Sequence, residues 1–493
     1  MQARHNQSIT HRAEAMNNKH TTHSFMSSGS KLSVSSVVCM VLLSACSMMP
    51  AYQAPALPVP ANYNGGTAAV VGQVLAADLH WREVYKDDKL QQLIAAALNN
   101  NRDMRVAVLN IEKARAQYRV QGASLFPTIN ASGNESRQRI SGDLSSTGQP
   151  YISSSYSTSV GFSSFELDLF GRVRSLKQQA AQAFLATEAN QHSTKISLIA
   201  EVASAYYTLA ADQALLALAQ QTFNTQENTL KLTQRKLEIG VENQLTVSQQ
   251  QTAVEEARAD VANYTAQLAM DKNALALLVG GEVSSTLLPP LITAFPKIDV
   301  GLPTGLPSDV LTRRPDIISA EHSLLAANAN IGAARAAFFP KIALTATAGS
   351  SSGDLARLFM GGTGVWSFVP SITLPIFDMG TNRANLKIAN VERDISIATY
   401  EKTIQTAFKE VSDALAQATG LREQVKAYEV RQAAAQQSLQ LSQARFNYGV
   451  DAYLTVLDAQ RTLYSTQKTL ISMQLAQLNN YASLYKVLGG GWQ

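Results

Sequence analysis

From Gly380 to Gly449 the chain has no proline and a single internal glycine, Gly420, and from Val450 to Leu488 it has neither. Without a helix breaker, the first stretch can run as one helix of about 68 residues, on the order of 100 Å long at ~1.5 Å per residue. The second stretch can run back alongside it. An ordinary globular domain does not house such helices, whose mean length there is about 11–12 residues. The reversal falls at Tyr448-Gly449-Val450, where glycine permits the left-handed backbone that a helix ending needs.

The same plan occurs twice. Glu238-Ile239-Gly240-Val241 and Leu245-Thr246-Val247 return 209 positions later as Asn447-Tyr448-Gly449-Val450 and Leu454-Thr455-Val456. That spacing also superimposes Gly171 on Gly380 and Val279-Gly280-Gly281 on Leu488-Gly489-Gly490. Nearer the amino terminus it becomes 213, pairing Asp103 with Asp316 and Phe126-Pro127 with Phe339-Pro340. The chain therefore reads as a tandem duplication, with residues 90–280 as the first repeat, 281–307 as a proline-rich connection and 308–493 as the second repeat.

Residues 1–45 read as a leader. Lys31 precedes an apolar run from Leu32 to Leu43, too short for a permanent membrane helix, which ends in Leu43-Ser44-Ala45-Cys46. That ending resembles a bacterial lipobox, which makes Cys46 the expected lipid-bearing first residue of the mature chain. Ser47, where aspartate would direct retention, favours sorting to the outer membrane. Without the leader 37 basic residues face 36 acidic ones, which argues against a nucleic-acid binder. The other cysteine, Cys39, leaves with the leader, so no internal disulfide is expected.

Residues 46–89 open with Pro50, Pro55, Pro58 and Pro60 and read as an extended tether, either a free linker or a docked strap. A helix is expected from Leu90 to Ser124, with a counterpart from Ser308 to Phe338 broken or kinked at Pro315. After each Phe-Pro the pattern turns strand-like. Tyr156, Val160 and Phe162 alternate with Ser155, Ser157, Ser159 and Ser163, and Trp366, Phe368, Ile372 and Leu374 with Ser367, Ser371 and Thr373. Turns are expected at Ser141–Gly148 and Gly349–Gly353. Such a sheet suits either a soluble amphipathic layer or a barrel wall between lipid and water. Two hairpins give four strands, whereas a membrane barrel needs at least about eight to close, so transmembrane strands would require several copies. In the long helices, Ile196, Ile199, Ala203, Tyr206 and Ala210 form one seam. Ile388, Val391, Ile395 and Ala398, continuing into Ile404, Phe408, Val411 and Leu415, form another.

Little in the sequence suggests catalysis. His80, His192 and His322 are far apart and lack metal-ligand spacing. Gly349-Ser350-Ser351-Ser352-Gly353 matches the spacing of a serine-hydrolase elbow, but that motif requires a strand-to-helix turn rather than a hairpin. P-loop, dinucleotide and zinc-helix motifs are missing from the sequence. The expectation is a non-enzymatic protein with no metal and no cofactor beyond a lipid on Cys46.

The duplicated plan, Gly305-Leu306-Pro307-Ser308-Asp309, Arg313-Arg314-Pro315-Asp316, the tip Tyr453-Leu454-Thr455-Val456-Leu457-Asp458-Ala459-Gln460-Arg461 and the ending Leu488-Gly489-Gly490-Gly491-Trp492 together resemble the TolC-type outer-membrane efflux family, in its OprM-like lipoprotein branch. The resemblance implies an α+β membrane protein: a homotrimeric 12-stranded β-barrel, four strands per chain, continuous with a long periplasmic α-helical barrel. It implies a passive exit duct for a tripartite drug-efflux pump, docked to a periplasmic membrane-fusion adaptor and an inner-membrane resistance-nodulation-division pump. Leu454, Asp458 and Arg461 match the constricting positions of the family's periplasmic gate. Three copies would form an apolar ring and an acidic ring, with Arg461 as counter-charge. Gly240, Val241, Gly449 and Val450 match the hairpin tips that meet the adaptor. The first tip carries Gln249 where the second has Asp458, and Asp451 stands where some relatives carry a basic residue. Alternatives are a duct for metal-ion efflux or type I protein secretion, or a non-conducting lipoprotein scaffold spanning the periplasm.

Overall fold

The computed structural model describes residues 47–61, 63, 80–290 and 308–491. The leader, Cys46, residues 291–307 of the connection and Trp492 lie outside the described residues. Helices α1 (Trp81–Val84), α2 (Asp88–Asn100) and α3 (Arg102–Ala123) lead into strands β1 (Asn130–Ile140) and β2 (Tyr151–Leu167). Then come α4 (Arg172–Glu238) and α5 (Gln244–Val279). The order recurs as α6 (Pro315–Ala336), β3 (Lys341–Ser352), β4 (Gly364–Thr373), α7 (Thr381–Asn447) and α8 (Tyr453–Val487).

The helix expected from Leu90 to Ser124 is broken. Asn101 leaves the helical region and caps α3, its Oδ1 accepting from the Met104 amide at 3.0 Å while Nδ2 donates to the Leu278 carbonyl at 2.9 Å. An asparagine inside an apolar-periodic run stops the helix because its short side chain replaces a missing intrahelical partner. The second repeat breaks at the corresponding place, with Arg314 extended and Pro315 opening α6.

One antiparallel sheet has the order β1-β2-β3-β4. Its register places Val160, Ala348 and Trp366 in one row, and Phe162, Ala346 and Phe368 in the next, on a common apolar face. The opposite face carries hydroxyls, with Ser132 bonded to Ser159 at 3.0 Å and Thr347 to Ser367 at 2.7 Å. Strict alternation through Ser163 is interrupted by a bulge between Phe162 and Phe165, where Ser164 takes φ 55°. The bulge keeps Phe165, opposite Leu344, on the apolar face. The expected turn at Gly349–Gly353 is displaced, because β3 continues to Ser352 and the reversal occupies residues 353–363. Glycine at 349 serves close strand approach, since a Cβ there would lie 2.0 Å from the Thr158 carbonyl oxygen. Ser350, the centre of the elbow-like spacing, bonds Thr363 and the Leu358 carbonyl inside this loop.

The helices continue the order of the strands. α3 packs on α4, α4 on α6, and α6 on α7. Farther from the sheet, α5 packs on α4, α4 on α8, and α8 on α7. At 67 residues each, α4 and α7 are on the order of 100 Å long. The seam Ile196, Ile199, Ala203, Tyr206 and Ala210 is buried, packed in part against Leu90, Leu93 and Ile94 of α2. Ile404 and Val411 are buried against Leu311, Ile317 and Leu484, with Phe408 and Leu415 partly so. The upper part of that second seam behaves differently: Ile388, Val391 and Ile395 stay exposed on α7. At the other end of the same layer, Val106, Leu109 and Val120 are bare on α3. A seam at the open edge of a layer has no neighbour within its own chain.

The proline-rich segment is a docked strap. The Pro50 carbonyl accepts from Asn328 at 2.9 Å, Tyr52 donates to Glu321 at 3.1 Å, and Leu57 and Val59 pack on the core of the second repeat. Gly332 makes room for it, since a Cβ there would sit 2.5 Å from the Met49 Cγ. Glycine inside a helix costs about 1 kcal/mol relative to alanine; here a Cβ would also lie 2.9 Å from the Met49 amide nitrogen and 2.7 Å from the Oγ of buried Ser175 on α4, so the strap and the α4 packing both require it. Gly332→Val should lift the strap while leaving α6 helical, read as faster proteolysis within residues 47–61; an unchanged cleavage rate would show that Met49 does not hold the strap.

Candidate functional site

Both long hairpins end in the same backbone device. Gly240 (φ +72°) and Gly449 (φ +71°) sit just past the helix ends. The Gly240 amide donates to Leu237 and Val241 to Lys236, while Gly449 donates to Phe446 and Val450 to Arg445, all at 2.9 Å. This pairing satisfies carbonyls that a helix end would orphan, and it requires a left-handed residue. Each turn thrusts apolar side chains into solvent: Ile239, Val241 and Leu245 in one, Tyr448 and Val450 in the other.

The first turns of α8 carry the sequence-predicted gate. Leu454, Asp458 and Arg461 are all exposed, while Val456, Leu457, Ala459 and Leu463 are buried on the packed side. Steps of four and three residues put the exposed trio on one helix face. The i,i+3 ion pair between Asp458 and Arg461 does not form within the chain. The ion pair at this tip is instead Arg445 with Asp451, two-pronged at 2.7 and 2.8 Å, joining the end of α7 to the turn. Each charge favours its partner's ionised form, the Asp451 carboxyl being held below and the Arg445 guanidinium above its ordinary value.

Behind the exposed trio lies a polar chain that sequence reasoning missed. Tyr453 donates to Gln250 Oε1 at 2.8 Å, Gln250 donates to Gln226 Oε1 at 2.6 Å, and Gln226 donates to Gln460 Oε1 at 3.1 Å. It runs from α8 through α5 and α4 and back to α8, linking the two hairpins. Gln250 is fully buried and Gln226 nearly so, and burial pushes the Tyr453 hydroxyl up to about 12. Tyr453 also stacks edge-on against Phe446, over whose ring Lys236 of α4 sits 5.5 Å away. Farther along, Asp260 of α5 accepts from Tyr464 at 2.6 Å and Lys468 at 2.8 Å. In the sequence Gln226 and Gln460 stand alone and Gln250 lies in a run of three, with nothing to mark them as partners; only the replacement of Gln244 in the first repeat by Tyr453 in the second hinted at a special contact.

None of the described helices is long and apolar enough to cross a membrane. The family model for outer membrane efflux proteins matches residues 93–281 and 306–490, one segment per repeat. The chain belongs to the outer membrane efflux protein family. It is 49% identical over 462 residues to the antibiotic efflux pump outer membrane protein ArpC of Pseudomonas putida, covering 93% of this chain and 95% of that protein. The toluene efflux pump outer membrane protein TtgC of Pseudomonas putida is equally similar, with the same coverage. The open-state crystal structure of the MtrE outer membrane channel of Neisseria gonorrhoeae superposes with a TM-score of 0.82 at 40% identity, covering 91% of this chain and 99% of that one.

As an outer membrane efflux protein the chain is a channel component rather than an enzyme. Its sheet crosses the outer membrane and its helices extend into the periplasm, so the strand hairpin loops face outward and the glycine tips lie at the far periplasmic end. Cys46 lies outside the described residues, but the chain just after it is placed: the Met48 carbonyl accepts from Arg335 at 3.4 Å, near the end of α6 that hands over to β3.

Proposed function

We propose that three copies of this chain close into a twelve-stranded barrel and a continuous helical barrel, the passive exit duct of a tripartite efflux pump. The observation that carries this reading is the matching of open edges. Among the described residues β1 and β4 each lack a partner on one side, and the helices that continue them, α3 and α7, leave Val106, Leu109, Val120 and Ile388, Val391, Ile395 bare. Unpaired strand edges cannot remain in lipid, and an edge that fits its opposite edge head-to-tail closes a ring.

In this assembly the exposed faces of α8 converge at the periplasmic end. Leu454 supplies an apolar ring, Asp458 an acidic ring and Arg461 the counter-charge, now from the neighbouring chain because the intrachain pair is not formed. The apolar tips around Gly240, Val241, Gly449 and Val450 dock the membrane-fusion adaptor, and a resistance-nodulation-division pump in the inner membrane supplies the energy. Cys46 carries the lipid anchor, and the strap from Ser47 onward keeps it near the base of the barrel. The relatives' antibiotic and toluene names support small organic cargo over metal ions or secreted proteins.

Native mass spectrometry and planar-bilayer recording of the purified mature protein test the assembly. The expected result is the mass of three chains, with one lipidated cysteine each, and a small conductance. A stable monomer, or membrane-inserted protein silent in both wild type and gate variants, would leave the scaffold reading in its place.

A further inference from the structure

Two acids are packed against each other inside the first long hairpin. Asp212 of α4 and Asp271 of α5 are 9% and 8% exposed. Both lie about 30 residues from the turn, so antiparallel helices bring them level, roughly 45 Å from the tip. Gln267 donates to Asp271 Oδ1 at 2.9 Å, while Oδ2 is buried and receives no donor from the other described residues. The two buried carboxyls face each other across the antiparallel helices, and two ionised carboxylates there would have no donor between them.

The surrounding charges do not neutralise the pair. Lys468, which α8 brings to this hairpin, is held by Asp260 and lies over the Tyr264 and Tyr464 rings. Lys272, next to Asp271 in sequence, is exposed. Toward the sheet, Asp87 at the start of α2 accepts the Tyr206 hydroxyl at 3.1 Å, and the neighbouring Tyr207 is buried. Burial first, and then the facing Asp271 carboxyl, push the Asp212 carboxyl up to about 7.

The internal repeat supplies a control. At the spacing of 209, Asp271 corresponds to Asn480 and Asp212 to Leu421. Asn480 is 6% exposed and donates to the Ala414 carbonyl and to Gln417, both at 3.2 Å. A neutral amide fills the place in the second hairpin, so the helical hairpin itself does not demand a carboxylate there.

We propose that Asp212 and Asp271 form a proton-holding pair that ties α4 to α5 while one proton is shared and loosens that contact once the proton is lost. The first hairpin is then pH-responsive and the second is not. This concerns the packing of one chain and stands whether or not the assembly conducts. The sign follows from a folded-state affinity for the proton raised above the unfolded one. The contribution is fully present below about pH 4 and is lost as pH rises through about 7.

Amide hydrogen exchange of the purified assembly, compared between about pH 5 and about pH 8 with intrinsic rates corrected, tests it. Protection around residues 205–220 and 264–278 should fall by up to about tenfold per pH unit across the titration, relative to the segment around Asn480. Asp271→Asn should abolish that difference and be the better protected form at the alkaline end, with Asp212→Asn giving the same result. The infrared difference between the wild type and Asp271→Asn should show a protonated-carboxyl band near about pH 6, where ordinary carboxyls are ionised, that fades at the alkaline end. Parallel pH dependence of the two hairpins in the wild type, or no protonated-carboxyl band, would overturn the proposal.

Discussion

Replacing Asp458 with alanine is expected to open the periplasmic end of the duct. With no intrachain pair to Arg461, three carboxylates and three guanidiniums meet at the axis of the proposed trimer and pair between chains. Deleting the acids leaves three like charges facing one another. Exposed ion pairs are worth about 0.2–1 kcal/mol each, and three act on one opening event, so the closed-to-open ratio should shift by roughly threefold to a hundredfold. Single-channel recording should show a larger or more frequent open level, and cells should admit large antibiotics that the wild type excludes. Arg461→Ala should act in the same direction through three unpaired carboxylates. The reciprocal exchange, Asp458→Arg with Arg461→Asp, should restore closure because it restores the pairing. Closed behaviour in both single variants would remove these residues from the gate and leave the buried Tyr453-Gln250-Gln226-Gln460 chain as the contact that holds α8.

Gly449→Trp is expected to abolish efflux while the assembly survives. No atom lies within 4 Å of a Cβ built at Gly449, so the added side chain meets no neighbour in the fold and projects from the tip. Its φ of +71° strains any branched or bulky residue by about 1–3 kcal/mol, a local cost that a core of this size absorbs. The indole would stand among Tyr448 and Val450, where the adaptor is proposed to seat. Gly449→Asn is the matched control, because asparagine tolerates the left-handed region and adds little bulk. Loss of efflux with Trp but not Asn, at equal trimer yield, separates docking from folding. Normal efflux with Trp would move the adaptor contact off this tip.

The architecture was legible because its causes are local. Long stretches free of proline, with Gly420 the one glycine inside them, dictated the 67-residue helices, glycines at 240 and 449 marked both reversals, and the duplication carried each assignment from one repeat to the other. The errors also have local causes: Asn101 capping a new helix, the bulge at Ser164, and Gly349 serving strand approach rather than a turn.

Periodicity is a property of the chain, so the residues sharing each helix face could be named before any packing was known. It placed Leu454, Asp458 and Arg461 together on one side of α8, and it marked the apolar seams. Whether a seam is covered, and which polar residues meet, emerged with the packing of the helices. Ile404 is buried while Ile388 on the same helix is bare, Gln250 lies deeper than any glutamine-rich run suggests, and Asp212 meets an acid that is its equal in distance from the turn. Burial and pairing depend on what stands opposite in space, and partners far apart in sequence are joined only when the helices pack.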